Sequence, residues 1–273
     1  MDIWHRVTFS HTDNVDNAIK ALNLKYKKNP FPGEGYLIHI DIYESATVWP
    51  QIEALIWQKN ALDVFDTVFT PEEILQAEWV RLIPIFEQGY PQPYTTWVTN
   101  PINYKGHCPA CGAFQQAASF RLKKEPHLGR QDFMSLFWTY ALFCTPHVFD
   151  ELEAHGIRGY EKWDAIIHKT ALPSQKVSQL YVPTVANPGL VRAEDLKREI
   201  CSACGFTKYY PHMRGVMYLA RTALVSDVDI LQTYEWFGSG HSAYREFLVS
   251  NRFAKLILEK GWRGIKLKVV ELL

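Results

Sequence analysis

Residues 3–9 and 36–43 alternate apolar with polar side chains and are rich in β-branched types. That period of two predicts two strands, each with one face turned to a core. Between them, the run KNPFPGEG reads as a Pro/Gly loop. Residues 48–61 change period and place Val48, Ile52, Leu55 and Ile56 on one helical face. The run DVFDTVF then predicts a strand, and Thr70-Pro71-Glu72-Glu73 a helix start, with Thr70 as cap, Pro71 at the first helical position and Glu73 completing a capping box. The paired carboxylates of Glu72 and Glu73 suit a helix N-terminus better than acid–base chemistry. WVRLIPIF predicts a further strand, ending in the stiff segment Gly89-Tyr90-Pro91-Gln92-Pro93. A domain boundary is expected near residue 100.

The remainder contains a repeat. Residues 142–159 (LFCTPHVFDELEAHGIRG) align without a gap on residues 247–264 (FLVSNRFAKLILEKGWRG), at an offset of 105. Thr145 matches Ser250, Gly156 matches Gly261, Arg158 matches Arg263 and Gly159 matches Gly264. Both segments read as a Thr or Ser N-cap, a short helix, a Gly at C′ and a second Gly turning into a strand. The strand is clear after Gly264 and weaker after Gly159. Each copy is preceded by Cys-x-x-Cys-Gly, at Cys108 and Cys201, so the second copy carries an insertion of 12 residues relative to the first. The fold class expected is α+β. An N-terminal α+β domain (1–100) precedes a duplicated strand/helix module: repeat one 101–170, a linker 171–195 rich in Pro, Ser and Val, and repeat two 196–273.

Composition narrows the function. The chain has 273 residues, 47% hydrophobic and 21% charged, enough to bury a core without disulfides. Its formal net charge is +0, so no global field draws it to nucleic acid or anionic lipid. The N-terminus lacks the basic start and apolar run of a secretory signal, and no apolar stretch reaches the length of a membrane span. A cytoplasmic protein is expected.

Four of the five cysteines form the two Cys-x-x-Cys pairs, which in a reducing compartment favours metal or redox chemistry over disulfides. Pro109 fixes φ after the first ligand of CPACG, and Gly112 tolerates the turn behind the second; CSACG repeats the pattern with Ser202. Two such knuckles make a closed Cys₄ set, the arrangement of structural zinc sites. Cys108, Cys111, Cys201 and Cys204 are therefore the expected ligands of a structural Zn²⁺. The rival zinc arrangement has two separate sites completed by histidines such as His107, His127 or His212. A thioredoxin-like redox pair fits two Gly-followed copies poorly. Cys144, among apolar neighbours, reads as a small buried hydrophobe.

Other features invite weaker readings. The loop Phe237-Gly-Ser-Gly-His241-Ser242 has the composition of an anion-holding turn but matches no catalytic motif. Lys123, Lys124, Lys208 and Arg214 follow the knuckles among aromatics, as single-stranded nucleic-acid sites do. Trp49, Trp57 and Trp138 read as core. Tyr90, Tyr94 and Trp97, around the Pro-rich turn, are candidates for a partner-binding patch together with Lys123, Lys124 and Arg214.

With both knuckles and the helix–Gly–x–Arg–Gly–strand ending in hand, residues 100–273 resemble the bacterial double-CXXCG-motif proteins, some of them described as immunity proteins of polymorphic toxin or contact-dependent exchange systems. The matching positions are Cys108-Pro-Ala-Cys111-Gly112 and Cys201-Ser-Ala-Cys204-Gly205, and residues 248–270 look like the closing helix and strand of immunity-type domains. The resemblance implies a non-enzymatic protein that neutralises a cognate toxin by binding it, with zinc holding the fold. The alternatives are a zinc-stabilised nucleic-acid-binding protein and an enzyme drawing on loop residues such as His241.

Overall fold

A computed structural model describes residues 1–33, 35–95, 104–225 and 227–273. The fold is α+β and mostly sheet, in two compact units: Met1–Thr70 with Met213–Val216, and Pro71–His212 with Met217–Leu273.

The N-terminal unit is a four-stranded antiparallel sheet in the order β2-β3-β1-β4, made of β1 (Asp2–Ser10), β2 (Lys27–Phe31), β3 (Gly35–Tyr43) and β4 (Leu62–Val68). The alternation in β1 buries Ile3, His5, Val7 and Phe9 on one face. Helices α1 (Asp16–Ala21) and α2 (Trp49–Lys59) supply Ile19 and Ile52 to the same core. Part of the expected KNPFPGEG loop is strand β2. It carries Pro30 because it is an edge strand, where a missing N–H costs no interior ladder bond. Trp57 is not core. It lies on the face of α2 opposite Ile52 and is 81% exposed. Trp49 is half-buried against the core.

The division between units falls at Thr70 rather than near residue 100, because β5 (Trp79–Pro84) belongs to the second unit. It lies at the centre of a five-stranded sheet, antiparallel to both Phe247–Ser250 and Ile265–Leu272; Val80 faces Val249 on one side and Val269 on the other. Helices α3 (Pro71–Gln76) and α5 (Asn251–Lys260) also belong to this unit. A second sheet joins Glu161–Ile166, Pro173–Tyr181, Leu142–Cys144 and Phe133–Met134. Residues 173–181, expected to be a linker or an extended crossover, form a strand of it. No helix among the described residues is long and apolar enough to cross a membrane.

The two aligned segments have the same local structure. Strand Leu142–Cys144 leads into helix α4 (Pro146–Ala154), as Phe247–Ser250 leads into α5. Ser250 caps α5 by accepting the Phe253 N–H, whereas Thr145 occupies the N-cap of α4 with no side-chain bond to it.

The two corners that follow are exchanged. The Arg158 carbonyl accepts the N–H groups of Asp229 and Ile230 at 2.7 and 3.2 Å, and the Arg158 N–H donates to Asp229 Oδ2 at 3.0 Å. In the same way the Arg263 carbonyl accepts from Asp132 and Phe133 at 3.1 and 3.0 Å, and its N–H donates to Asp132 Oδ2 at 2.9 Å. Each aspartate closes the loop onto its own helix start, Asp229 O accepting from Ser250 N and Asp132 O from Thr145 N. The adjoining glycines explain the Gly-x-Arg-Gly pattern. Gly159 and Gly264 have φ of +104° and +96°, and a Cβ at either would collide with the carbonyl of Ile230 or Phe133.

Candidate metal centre

Each Cys-x-x-Cys-Gly forms the tip of a β-hairpin. The first lies between Tyr104–Lys105 and Gln115–Gln116, the second between Arg198–Ile200 and Thr207–Tyr209. Their turns are closed by equivalent bonds. Cys108 N donates to Ala113 O and Gly112 N to Cys108 O, both at 2.9 Å. Cys201 N donates to Phe206 O and Gly205 N to Cys201 O, both at 2.8 Å. Gly112 and Gly205 have φ of +76° and +71°, as the turn requires.

The hairpin tips bring all four sulfurs within 4.8 Å of one another, although the knuckles are 93 residues apart in sequence. Cys108 Sγ lies 3.9 Å from Cys201 Sγ, and Cys111 Sγ 3.7 Å from Cys204 Sγ. Backbone N–H groups point at the sulfurs, as a thiolate site needs. Those of Cys111 and Ala110 pull the Cys108 thiol down to about 6. Those of Cys204 and Ala203 lower Cys201 in the same way. Burial raises Cys111. The Phe206 N–H works to lower Cys204, but burial and the three neighbouring thiols push it up to about 12. Four thiols crowded together cannot all ionise without a cation among them.

Cys111, Ala113 and Ala243 are buried around the site, with Cys108, Cys201, Phe206 and Trp236 packed against them. Lys208, on the second hairpin, is 2% exposed. Its ammonium donates to Cys111 O at 3.2 Å, to Ser242 O at 3.1 Å and to Gly240 O, and lies 3.4 Å from Glu199 Oε2. A residue expected on a basic surface is thus a buried clamp between the first knuckle and the 240–242 loop. His241, in that loop, is exposed and hydrogen-bonds the Pro109 carbonyl through Nδ1 at 3.1 Å. The Gly-Ser-Gly-His loop therefore braces the first knuckle.

Among the described residues, the metal-capable group is the four cysteines alone. The His107 ring is tilted against Tyr104 at 6.0 Å, the His127 N–H donates to Gln88, and His212 lies against Arg81, with burial, Arg81 and Lys268 pushing its pKa down to about 4. Cys144 is fully buried in its strand, and burial pushes its thiol well up. A closed set of four sulfurs offers no open position for a substrate, so the arrangement suits a structural ion.

The remaining candidates are scattered. Tyr90 packs on Tyr94, Phe137 and Trp138 at 4.9–5.2 Å between ring centroids. Trp138, expected in the core, is 67% exposed; its backbone is left-handed (φ +68°), and Tyr94 is exposed beside it. Trp97 lies outside the described residues. Lys123 and Lys124 are exposed, and Arg214 belongs to the N-terminal unit, where it pairs with Glu44 at 2.6 Å. Comparison with protein-family models and with curated proteins found no match for this chain.

Proposed function

We propose that this chain is a non-enzymatic binding protein of the toxin-immunity type, held together by one structural Zn²⁺ on Cys108, Cys111, Cys201 and Cys204. The observation that carries the metal reading is the sulfur spacing. A tetrahedral ion with metal–sulfur bonds of about 2.3 Å places its ligands about 3.8 Å apart, close to the 3.9 and 3.7 Å between paired sulfurs. Soft thiolates in a closed tetrahedron favour zinc over the oxygen-seeking cations. A bound zinc supplies folding energy, because the two hairpins that meet there have little core in common. Lys208 places a positive charge on the Cys111 carbonyl, where four thiolates around a divalent ion leave a net negative charge. Free thiolates of this kind persist in a reducing compartment such as the cytoplasm.

The repeat is best explained as a duplication, each copy bringing one knuckle to the shared ion. Support for a protein partner comes from the Tyr90–Tyr94–Phe137–Trp138 cluster, since exposed tyrosine and tryptophan are typical anchors of interfaces. The nucleic-acid alternative loses Lys208 to the interior, so a protein partner is the preferred reading. The test is co-expression of the tagged chain with the product of the adjacent gene, then capture and metal analysis. The proposal expects that product at one copy per chain, together with zinc. Capture of nucleic acid, or of no partner, would contradict the immunity reading while leaving the zinc reading to stand on its own count.

A further inference from the structure

The C-terminal unit contains a cavity of about 290 Å³, at the small end of ligand-sized pockets. Aromatic side chains form much of its wall. Tyr140 and Tyr244 stack face to face at 4.1 Å and 14°, and Tyr181 and Trp236 also line it. Three of its glutamines are committed elsewhere. Gln116 and Gln179 exchange two amide hydrogen bonds of 2.9 Å, Gln179 Oε1 also accepts the Phe120 N–H, and Gln232 donates to the Val182 carbonyl.

Arg245 is different. Its Nη1 donates to the carbonyls of Thr233 and Tyr234, and its guanidinium sits 4.8 Å from the Trp236 ring centroid. Among the described residues, neither Nε nor Nη2 has a hydrogen-bond partner, and no carboxylate lies within ion-pair distance. Both neighbouring acids are in use, Glu235 accepting from the Gly189 and Leu190 N–H groups and Glu246 from Arg81. Burial lowers the Arg245 pKa and outweighs the opposing pull of Tyr234 and Glu235. Trp236 Nε1 is enclosed with no acceptor among the described residues and does not open onto the cavity. The wall beside them is strained as well: Tyr140 is left-handed at φ +52°, two residues from Trp138 at +68°. Backbone strain of this kind is concentrated at binding sites.

Two guanidinium nitrogens without acceptors on an aromatic-walled cavity call for one ligand chemistry. We propose that the cavity binds a small carboxylate carrying an aromatic ring. Arg245 Nε and Nη2 hold the carboxylate, and the ring lies among Tyr140, Tyr181 and Tyr244. A charge-assisted, two-pronged contact to a guanidinium discriminates strongly against the corresponding amide. The first knuckle's hairpin and Trp236 border both the cysteines and the cavity, but the proposal does not rest on a bound metal.

The test is calorimetry on the full chain with its metal in place, using phenylacetate against phenylacetamide, and a tetrapeptide ending in phenylalanine against the same peptide amidated. The proposal expects an acid to bind at least about tenfold more tightly than its amide, a gap of about 1.4 kcal/mol. If phenylacetate shows the preference the ligand is a free acid; if only the peptide does, it is a chain terminus. R245Q should abolish the preference while the protein stays folded by circular dichroism. Acid and amide binding alike, or neither binding at about 10 mM, would overturn the proposal, and that comparison needs no variant to fold.

Discussion

The two knuckles share a sequence pattern and a turn, yet they are supported differently. Cys111 of the first is buried, and a Cβ on Gly112 would strike the His241 carbonyl; the turn is clamped by Lys208 and braced by His241. Cys204 of the second is exposed, and a Cβ on Gly205 would meet nothing within 4 Å. The first knuckle is therefore fixed by packing before any ion binds. The second is held by its hairpin, and on the proposed reading by the ion as well. Two turns of one sequence pattern can differ in support when only one of them is packed into a core.

The largest expected effect is one that erases this difference. Cys111→Ser and Cys204→Ser should each lose the ion and about 4 kcal/mol or more of stability, despite their unequal burial. Urea unfolding alongside metal analysis checks this, and retention of metal by either variant would mean the knuckles do not share it. Lys208→Met comes next. It removes the ammonium from three carbonyls and should cost about 3 kcal/mol, measured by the same unfolding curves with metal content preserved.

The glycines separate the knuckles most directly. Gly205→Ala meets only the left-handed backbone penalty and should cost about 1 kcal/mol. Gly112→Ala adds a backbone collision and should cost about 2 kcal/mol more. Equal melting temperatures for the two would break the comparison.

The smallest effect concerns the exchanged corners. Asp229 accepts from Ser250 Oγ and Arg252 in addition to the Arg158 N–H, whereas the Asp132 carboxylate accepts the Arg263 N–H alone among the bonds that define the corners. Burial works to raise the Asp229 carboxyl, but hydrogen bonds from Arg252, the Arg158 amide and Ser250 outweigh it and hold it below its usual range. A lowered pKa in the folded state means that the stabilisation is complete above the unfolded value of about 4 and is lost as pH falls through the folded one. Asp229→Asn should therefore cost about 1 kcal/mol at neutral pH and nearly nothing at strongly acid pH. Unfolding curves at the two extremes test it, and a gap that does not close in acid would contradict this account.

Much of this was legible in the chain because local chemistry demanded it. The CXXCG turns need glycine and cysteine at fixed spacing, and Gly159 and Gly264 reveal two corners that admit no side chain. Strands β1 and β3 of the N-terminal unit followed from their alternation. What could not be read depended on distant residues. Pro30 is tolerated because β2 has a neighbour on only one side. Trp57 and Trp138 have apolar neighbours in sequence but face outward. Lys208 resembles any surface lysine until the 240–242 loop and the first knuckle supply three carbonyls for it. The Arg245 cavity gathers residues from four separate stretches, so no single segment announces it.

The most direct test of the central claim is the amount and environment of metal in the purified chain. Elemental analysis, with cobalt substitution to read the ligand set, should give about one zinc per chain and the absorption of a four-sulfur tetrahedral site. Two ions per chain, a mixed nitrogen–sulfur spectrum, or a fully folded protein with none would contradict a single ion shared by the two knuckles.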